Sequence, residues 1–159
     1  MATRITGGTL TVTITESLTM THSTTADNRT HSQTITKTFS GIDQLNKRVL
    51  NLPNTNQVKV IDLGGTAASA PGTFLRSAVE YIRITNLDDT NGVTVILEDT
   101  GADTAAILVD ADSSLLLTDT QIEAFTNGSA FSAFSDIDEI FLKAASANTQ
   151  VEVVVATTA

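Results

Sequence analysis

Apolar and polar positions alternate with a period of two over most of this chain, the pattern of strands with one buried face. In residues 8–20, Leu10, Val12 and Ile14 share one face, and Thr9, Thr11, Thr13 and Thr15 share the other. Alternation resumes at Gln33–Phe39. Between these runs, Thr21-His-Ser-Thr-Thr-Ala-Asp-Asn-Arg-Thr-His-Ser32 has almost nothing to bury and predicts a long exposed loop or hairpin tip. Gly41–Asn46 reads as a turn or a single helical turn. Lys47–Leu52 is a strand ended by Pro53, and Gln57–Leu63 is another, closed by Gly64-Gly65. The strongest local pattern is Val79-Glu-Tyr-Ile-Arg-Ile-Thr85 and Val93-Thr-Val-Ile-Leu-Glu98 on either side of Asn86-Leu-Asp-Asp-Thr-Asn-Gly92, which predicts a β-hairpin.

Further strands are predicted at Ala105–Val109 and Ser114–Thr118, joined at Asp110–Asp112, while Asn127-Gly128 must break whatever lies in Ile122–Phe134. Ile137–Leu142 and Val151–Val155 close the chain. The last run is apolar on both faces. It therefore belongs at the centre of a sheet or beneath another subunit, since a bare edge of that kind aggregates. About nine or ten short strands without an amphipathic helix predict an all-β, jelly-roll-like antiparallel β-sandwich. The sandwich is assigned to residues 41–159, and a Thr-rich N-terminal arm or hairpin to residues 1–40.

Composition sharpens this picture. The chain has 159 residues, 41% hydrophobic, with 28 Thr, six Phe, one Tyr and no Trp or Cys. It is long enough to bury a core as one domain, and the absence of Cys excludes disulfides and thiolate metal sites. No apolar stretch reaches the ~18 residues of a membrane helix. Met1-Ala-Thr-Arg4 lacks the layout of a secretory signal, so a protein made and used without export is expected. The Asn28 and Asn127 glycosylation patterns are expected by chance in so Thr-rich a chain.

The net charge of −9 is uneven. Residues 1–83 hold eight basic and five acidic side chains, whereas residues 84–159 hold Lys143 against thirteen acids. Phosphate repulsion argues against nucleic-acid binding by the acidic part, and the split permits contact between a basic segment of one subunit and an acidic neighbour.

Candidate chemistry is sparse. Asp62-Leu-Gly-Gly-Thr66 after a strand resembles the first phosphate-binding loop of sugar kinases in the actin-like ATPase superfamily. The likeness covers five residues, that superfamily needs two α/β lobes, and a Gly-Gly turn closing a strand accounts for the same residues. Asp88, Asp89, Glu98, Asp99, Asp103, Asp110 and Asp112 offer carboxylates for Ca²⁺ but lack the spacing of a calcium loop; turn capping explains them as well. His22 and His31 fall in the polar loop with Asp27, and their spacing matches no usual metal motif. Neither lies near a Gly-x-Ser-x-Gly elbow. Carboxylates converging from distant strands would leave no trace in the sequence. Sugar stacking has little aromatic surface to use.

The segment Val79–Asn91 followed by Val93-Thr-Val resembles small virion structural proteins of tailed bacteriophages, particularly those of cyanobacteria and marine bacteria. The likeness is best over residues 79–98 and extends weakly to the closing strands and the Thr-rich start. It implies a β-sandwich component of a phage particle, such as a decoration or cement protein of the head, or else a tail or neck component. No site residues transfer with it. The expectation is a non-enzymatic protein without cofactor or metal, located in the virion after assembly in the host cytoplasm. Its partners would be copies of itself, as a trimer, and the major capsid protein or other virion proteins, with no nucleic acid and no membrane. The interface is assigned to Arg4, Thr9, Leu10, Thr11, Val12, Thr13, Ile14 and Arg29, because an extended Thr-rich strand can pair with a neighbouring chain. The competing expectations are a receptor- or glycan-binding tail module and a small hydrolase or metal-dependent enzyme on a sandwich.

Overall fold

The computed structural model describes residues 7–20, 29–64, 72–118 and 137–158. Their strands are β1 (Gly8–Met20), β2 (Arg29–Ile42), β3 (Gln44–Leu52), β4 (Val58–Asp62), β5 (Val79–Asn86), β6 (Val93–Asp99), β7 (Thr104–Val109), β8 (Ser114–Leu117), β9 (Ile137–Ala144) and β10 (Thr149–Thr157). One 3-10 turn, Arg76–Ala78, leads into β5. β1 and β2 pair as a separate two-stranded hairpin. The other strands form two four-stranded sheets, in the orders β3–β10–β5–β8 and β4–β9–β6–β7.

All strand pairings are antiparallel. β3 lies beside β10, β4 beside β9, β5 beside β8 and β6 beside β7, so the second half of the sandwich retraces the first in reverse order. This is the wrapping of an eight-stranded jelly roll. The all-β antiparallel sandwich read from the alternation is the fold.

One prediction fails in an instructive way. β5 and β6 are strands at the expected residues, yet they are not a hairpin: β5 pairs with β10 and β8, and β6 with β9 and β7. Residues 87–92 instead carry the chain from one sheet to the other, a gap of about 10 Å. A two-residue turn would have kept both strands in one sheet; this six-residue connection spans the layer. Within the sandwich, the hairpin between consecutive strands is β6–β7. Its turn is held by the buried Asp99, whose Oδ1 accepts the N–H groups of Gly101 (2.8 Å) and Asp103 (2.9 Å).

Two smaller corrections follow. Gly41–Asn46 is not a helical turn, because β2 runs to Ile42 and β3 begins at Gln44; Gly41, at φ 75°, supplies the left-handed residue beside the corner. Arg29–Ser32, read as loop, opens β2, and His31 sits opposite Leu18 in the ladder. The rest of that loop and Ile122–Phe134 lie outside the described residues.

The core fills the space between the sheets. Ile61, Ile82, Val93, Val95, Ile140, Leu142, Val151, Val153 and Val155 are fully buried and form one cluster with Leu52, Leu63 and Phe74. β-branched side chains dominate because they suit a pleated, packed surface. A register shift between Ala156 and Thr157, opposite the start of β5, breaks the strict alternation there. Val79 thereby joins the main core while Tyr81 turns to the opposite face.

Asn86, at the end of β5, closes the layer. It is buried, its Nδ2 donates to the carbonyls of Asn91 (2.7 Å) and Asp110 (3.0 Å), and its Oδ1 accepts from the Asp88 N–H (3.1 Å). One amide thus joins the β5–β6 and β7–β8 connections. Asn86→Ala would remove these three hydrogen bonds from a buried position, each bond contributing about 1 kcal/mol. The expected outcome is a loss of roughly 2–4 kcal/mol, read as a lower urea midpoint with an unchanged slope.

Candidate interaction surface

The β1–β2 hairpin has two chemically distinct faces, set by alternation and register. On one face Thr9 pairs with Ser40, Thr11 with Thr38, Thr13 with Thr36, Thr15 with Thr34, Ser17 with Ser32 and Thr19 with Thr30. Every residue of that ladder is exposed. Hydroxyls of Thr13 and Thr36, and of Thr15 and Thr34, meet at 3.5 Å. Thr serves here as a strand former that leaves a wet surface.

The other face carries Leu10 opposite Phe39, Val12 opposite Lys37, Ile14 opposite Ile35, and Leu18 and Met20 further along. Its base is seated on the sandwich. Phe39, Ile42, Leu10 and Val12 pack against Tyr81, Leu116, Val154 and Ala156 on the outer face of the β3–β10–β5–β8 sheet. The Phe39 and Tyr81 rings lie 6.1 Å apart in a tilted arrangement. Lys37 lies over the Phe39 ring, 5.0 Å from its centre, and donates to the Thr118 carbonyl at 2.6 Å.

Beyond this base, no described residue covers the same face, where Glu16 and Gln33 separate Ile14 from Leu18. Ile14 is 44% exposed, Ile35 51%, Leu18 54% and Met20 59%. A two-stranded ribbon by itself is marginal in water, and an apolar stripe on it is a surface built for contact.

Where hairpin and sheet diverge, Leu10, Val12, Leu45, Tyr81, Lys47, Arg83 and Val154 line a cleft of about 330 Å³. Its floor carries an ion row. Glu152 of β10 binds Lys47 of β3 at 2.7 Å and also pairs with Arg83 of β5. The hydrogen bond from Lys47, with that from Arg83, holds the Glu152 carboxyl below its ordinary range. The row clamps three adjacent strands beside the hairpin's seat.

The residues assigned to an interface from sequence fall in different places. Thr9, Thr11 and Thr13 lie on the exposed hydroxyl face; Leu10 and Val12 are half-buried in the seat; Ile14 begins the uncovered stripe. Arg29 opens β2, and Arg4 lies outside the described residues. The sequence reading missed Ile35, Phe39, Leu18 and Met20, which share the stripe, and Tyr81, Val154 and Ala156, which receive it. Period-two counting through β2 places Ile35 and Phe39 on one face, but only the register joins that face to β1.

Other candidates resolve as local structure. Asp62 accepts from the Gly64 N–H (3.2 Å) and from Lys59 (3.3 Å), and a Cβ at Gly64 would collide with the Asp138 carboxylate. Strand ending and close packing thus account for this Asp and Gly; Gly65 and Thr66 lie outside the described residues. Asp88 Oδ1 accepts the N–H groups of Asn91 (2.6 Å) and Thr90 (2.9 Å), and these bonds lower its pKa. Among the described residues no three His, Asp or Glu side chains gather to hold a metal ion, and no helix is long and apolar enough to cross a membrane. No protein-family model matches the chain, and no curated protein matches it.

Two outcomes test this geometry. Phe39→Ala empties the seat, so hydrogen exchange should accelerate in β1 and β2 amides while sandwich amides stay protected. Because Glu152 has a lowered folded pKa, its stabilisation is complete above its ordinary value of 4.5 and is lost as pH falls through the lowered one. Urea midpoints of the wild type and Glu152→Gln should therefore differ at neutral pH and converge on acidification.

Proposed function

We propose that this chain is a non-enzymatic structural protein of a tailed-phage particle, a decoration or cement protein of the head. It assembles with copies of itself and with the major capsid protein, and the hairpin is the contact element. The observation that carries this reading is the set of exposed apolar side chains Ile14, Leu18, Met20 and Ile35, on the same hairpin face as residues that already serve as a docked surface on the chain's own sandwich, with Glu16 and Gln33 between Ile14 and Leu18. The jelly roll adds weak support: viral capsid domains use it, but so do lectins. The resemblance of residues 79–98 to phage virion proteins points the same way.

The physical logic is that of a cement. Such a protein needs a stable body and a projecting surface whose burial releases free energy, on the order of 25 cal/mol per Å² of apolar area. The body here is the sandwich and the surface is the hairpin. Residues 43–159 carry six basic and sixteen acidic side chains, whereas residues 1–42 carry three basic and two acidic. The body therefore repels other bodies while the arm is free of that repulsion, which favours arm-led contact.

The test is antibody labelling of intact particles of the phage that encodes the chain, paired with the full-length variant Leu18→Lys/Ile35→Lys. Label on the head, lost with the variant, is the expected outcome. Label on the tail or neck favours a tail component instead, and label absent from particles overturns the reading. The variant should keep the wild-type melting temperature within a few degrees, since both side chains are exposed.

A further inference from the structure

Two exposed surfaces, one on the hairpin and one on the sandwich, carry the same pattern. On the hairpin, Ile14, Glu16 and Leu18 occupy alternate positions of β1, on the face that holds Leu10 and Val12. On the sandwich, Leu45, Lys47 and Val49 occupy alternate positions of β3. Their ladder partners in β10 are Ala156, Val154 and Glu152, so they lie on the outer face that receives the hairpin. Leu45 is 57% exposed and Val49 56%. Each row runs apolar, charged, apolar, and the two charges are opposite in sign.

The fold sets these rows on neighbouring strips. Lys37 of β2 reaches the Thr118 carbonyl, just past β8, whereas Leu10, Thr11, Val12 and Thr13 of β1 line the cleft with Leu45 and Lys47. The edge of β1 turned away from β2 therefore lies on the side of β3. That edge is 13 residues long, without Pro, Lys or Arg, and among the described residues no third strand pairs with it. Glu16 is the one charge on its apolar face, and an inward-pointing charge deters an incoming strand that cannot neutralise it. A smaller cleft of about 160 Å³ opens at the start of the strand, between Gly8, Leu10, Ile42 and Leu45.

Resting on the reading of the hairpin as the contact element, we infer that two copies pair β1 with β1, antiparallel about a twofold axis at Ile14, so that each hairpin tip covers the other copy's β3. In this register Leu18 of one copy lies opposite Leu10 of the other, Glu16 opposite Val12, and Met20 opposite Gly8. Phe39, the cross-strand partner of Leu10, meets Tyr81, which shares a row with Ala156 and Leu45. Leu10 is thus level with Leu45. The incoming Leu18 then comes over Leu45, Glu16 over Lys47, and Ile14 to the level of Val49, while Met20 enters the smaller cleft. Lys47 gives one N–H to Glu152 and has others for Glu16, in a row where two cations share one carboxylate. Ile14 meets its counterpart at the axis, and Ile35 extends that row on each side. The opposite face pairs Thr13 with Thr15, Thr11 with Ser17 and Thr9 with Thr19. A one-residue slip turns every side chain to the wrong face. Moving the axis to Thr15 sets the two Glu16 side chains diagonally adjacent, and moving it to Thr13 puts Glu16 over Leu45. The contact is isologous, so it closes at two copies.

Sedimentation of the full-length protein tests this. Wild type should form dimers. Glu16→Lys and Lys47→Glu should each weaken dimerisation by about tenfold or more, at melting temperatures within a few degrees of wild type. The two variants mixed should dimerise again, because both contacts of the mixed pair are once more of opposite charge. The chain has no Cys, so Ile14→Cys should give a disulfide-linked dimer on mild oxidation, its Cβ atoms facing across the axis, and Leu18→Cys should not. Should loss of the Glu152 contact lower the melting temperature of Lys47→Glu, Leu45→Ser/Val49→Ser takes its place, with the same weakening expected. No recovery on mixing, or linkage through Leu18→Cys in place of Ile14→Cys, overturns the pairing. Dimers that survive every β3 variant but are lost with Leu18→Lys/Ile35→Lys overturn the β3 seat and leave the hairpin reading standing. Dimers that survive all the hairpin variants overturn both. A wild type that is monomeric at all concentrations, or trimeric, overturns the inference without touching the particle labelling.

Discussion

The structure depends on one strand being buried from both sides. β10 lies between β3 and β5, with Val151, Val153 and Val155 in the inter-sheet core and Val154 and Ala156 beneath the hairpin's base. A strand apolar on one face needs a single partner layer, whereas β10 needs two. The second layer is Leu10, Val12, Phe39 and Ile42. The hairpin is therefore joined to the sandwich by the same physics that builds the core, and its orientation follows from where Val154 and Ala156 lie. Everything further along the arm takes its direction from that seat.

Much of this was legible before any coordinates. Alternation located the ten described strands to within a few residues, and the two-faced apolarity of Val151–Val155 required a central or covered strand, which β10 is. Partners were not legible. The runs around Asn86–Gly92 have the same local pattern whether they lie side by side or in different layers. The deciding factors are the length of the connection and the buried Asn86 amide, which reads in sequence as one more turn residue. Likewise, Thr9–Thr15 reads as an edge, but which of its faces is seated depends on the pairing of Leu10 with Phe39, a contact between distant positions. Composition carries the alternation; long-range pairing carries the topology.

The acidic residues that suggest a metal site have a different use in this fold. Asp88 and Asp99 accept backbone N–H groups at tight connections, and Asn86 does the same work without charge. In a jelly roll nearly every connection changes sheet, so turns must be stiff and their backbone groups satisfied. Carboxylates on the rim meet that need and give the body a negative surface as well. The chemistry that resembles a binding cluster is thus part of how the chain turns corners.

The contrast between body and arm also bears on how assembly would proceed. The sandwich is held by a continuous core and by ladders of long sequence separation. Beyond Val12 and Lys37, the hairpin is held, among the described residues, by its own ladder and cross-strand pairs. Pairing of Thr with Thr contributes a few tenths of a kcal/mol to about 1 kcal/mol per pair, too little to fix a long ribbon against the conformational entropy of its residues. A partner that covers Ile14, Leu18, Met20 and Ile35 would supply the missing layer, as the sandwich already does for Leu10 and Val12. Binding of such a partner would then stabilise the ribbon as well. Each contact is weakened by the entropy it must overcome. In the proposed particle, many copies would offset that loss, because a chain held at one contact meets the next at high local concentration.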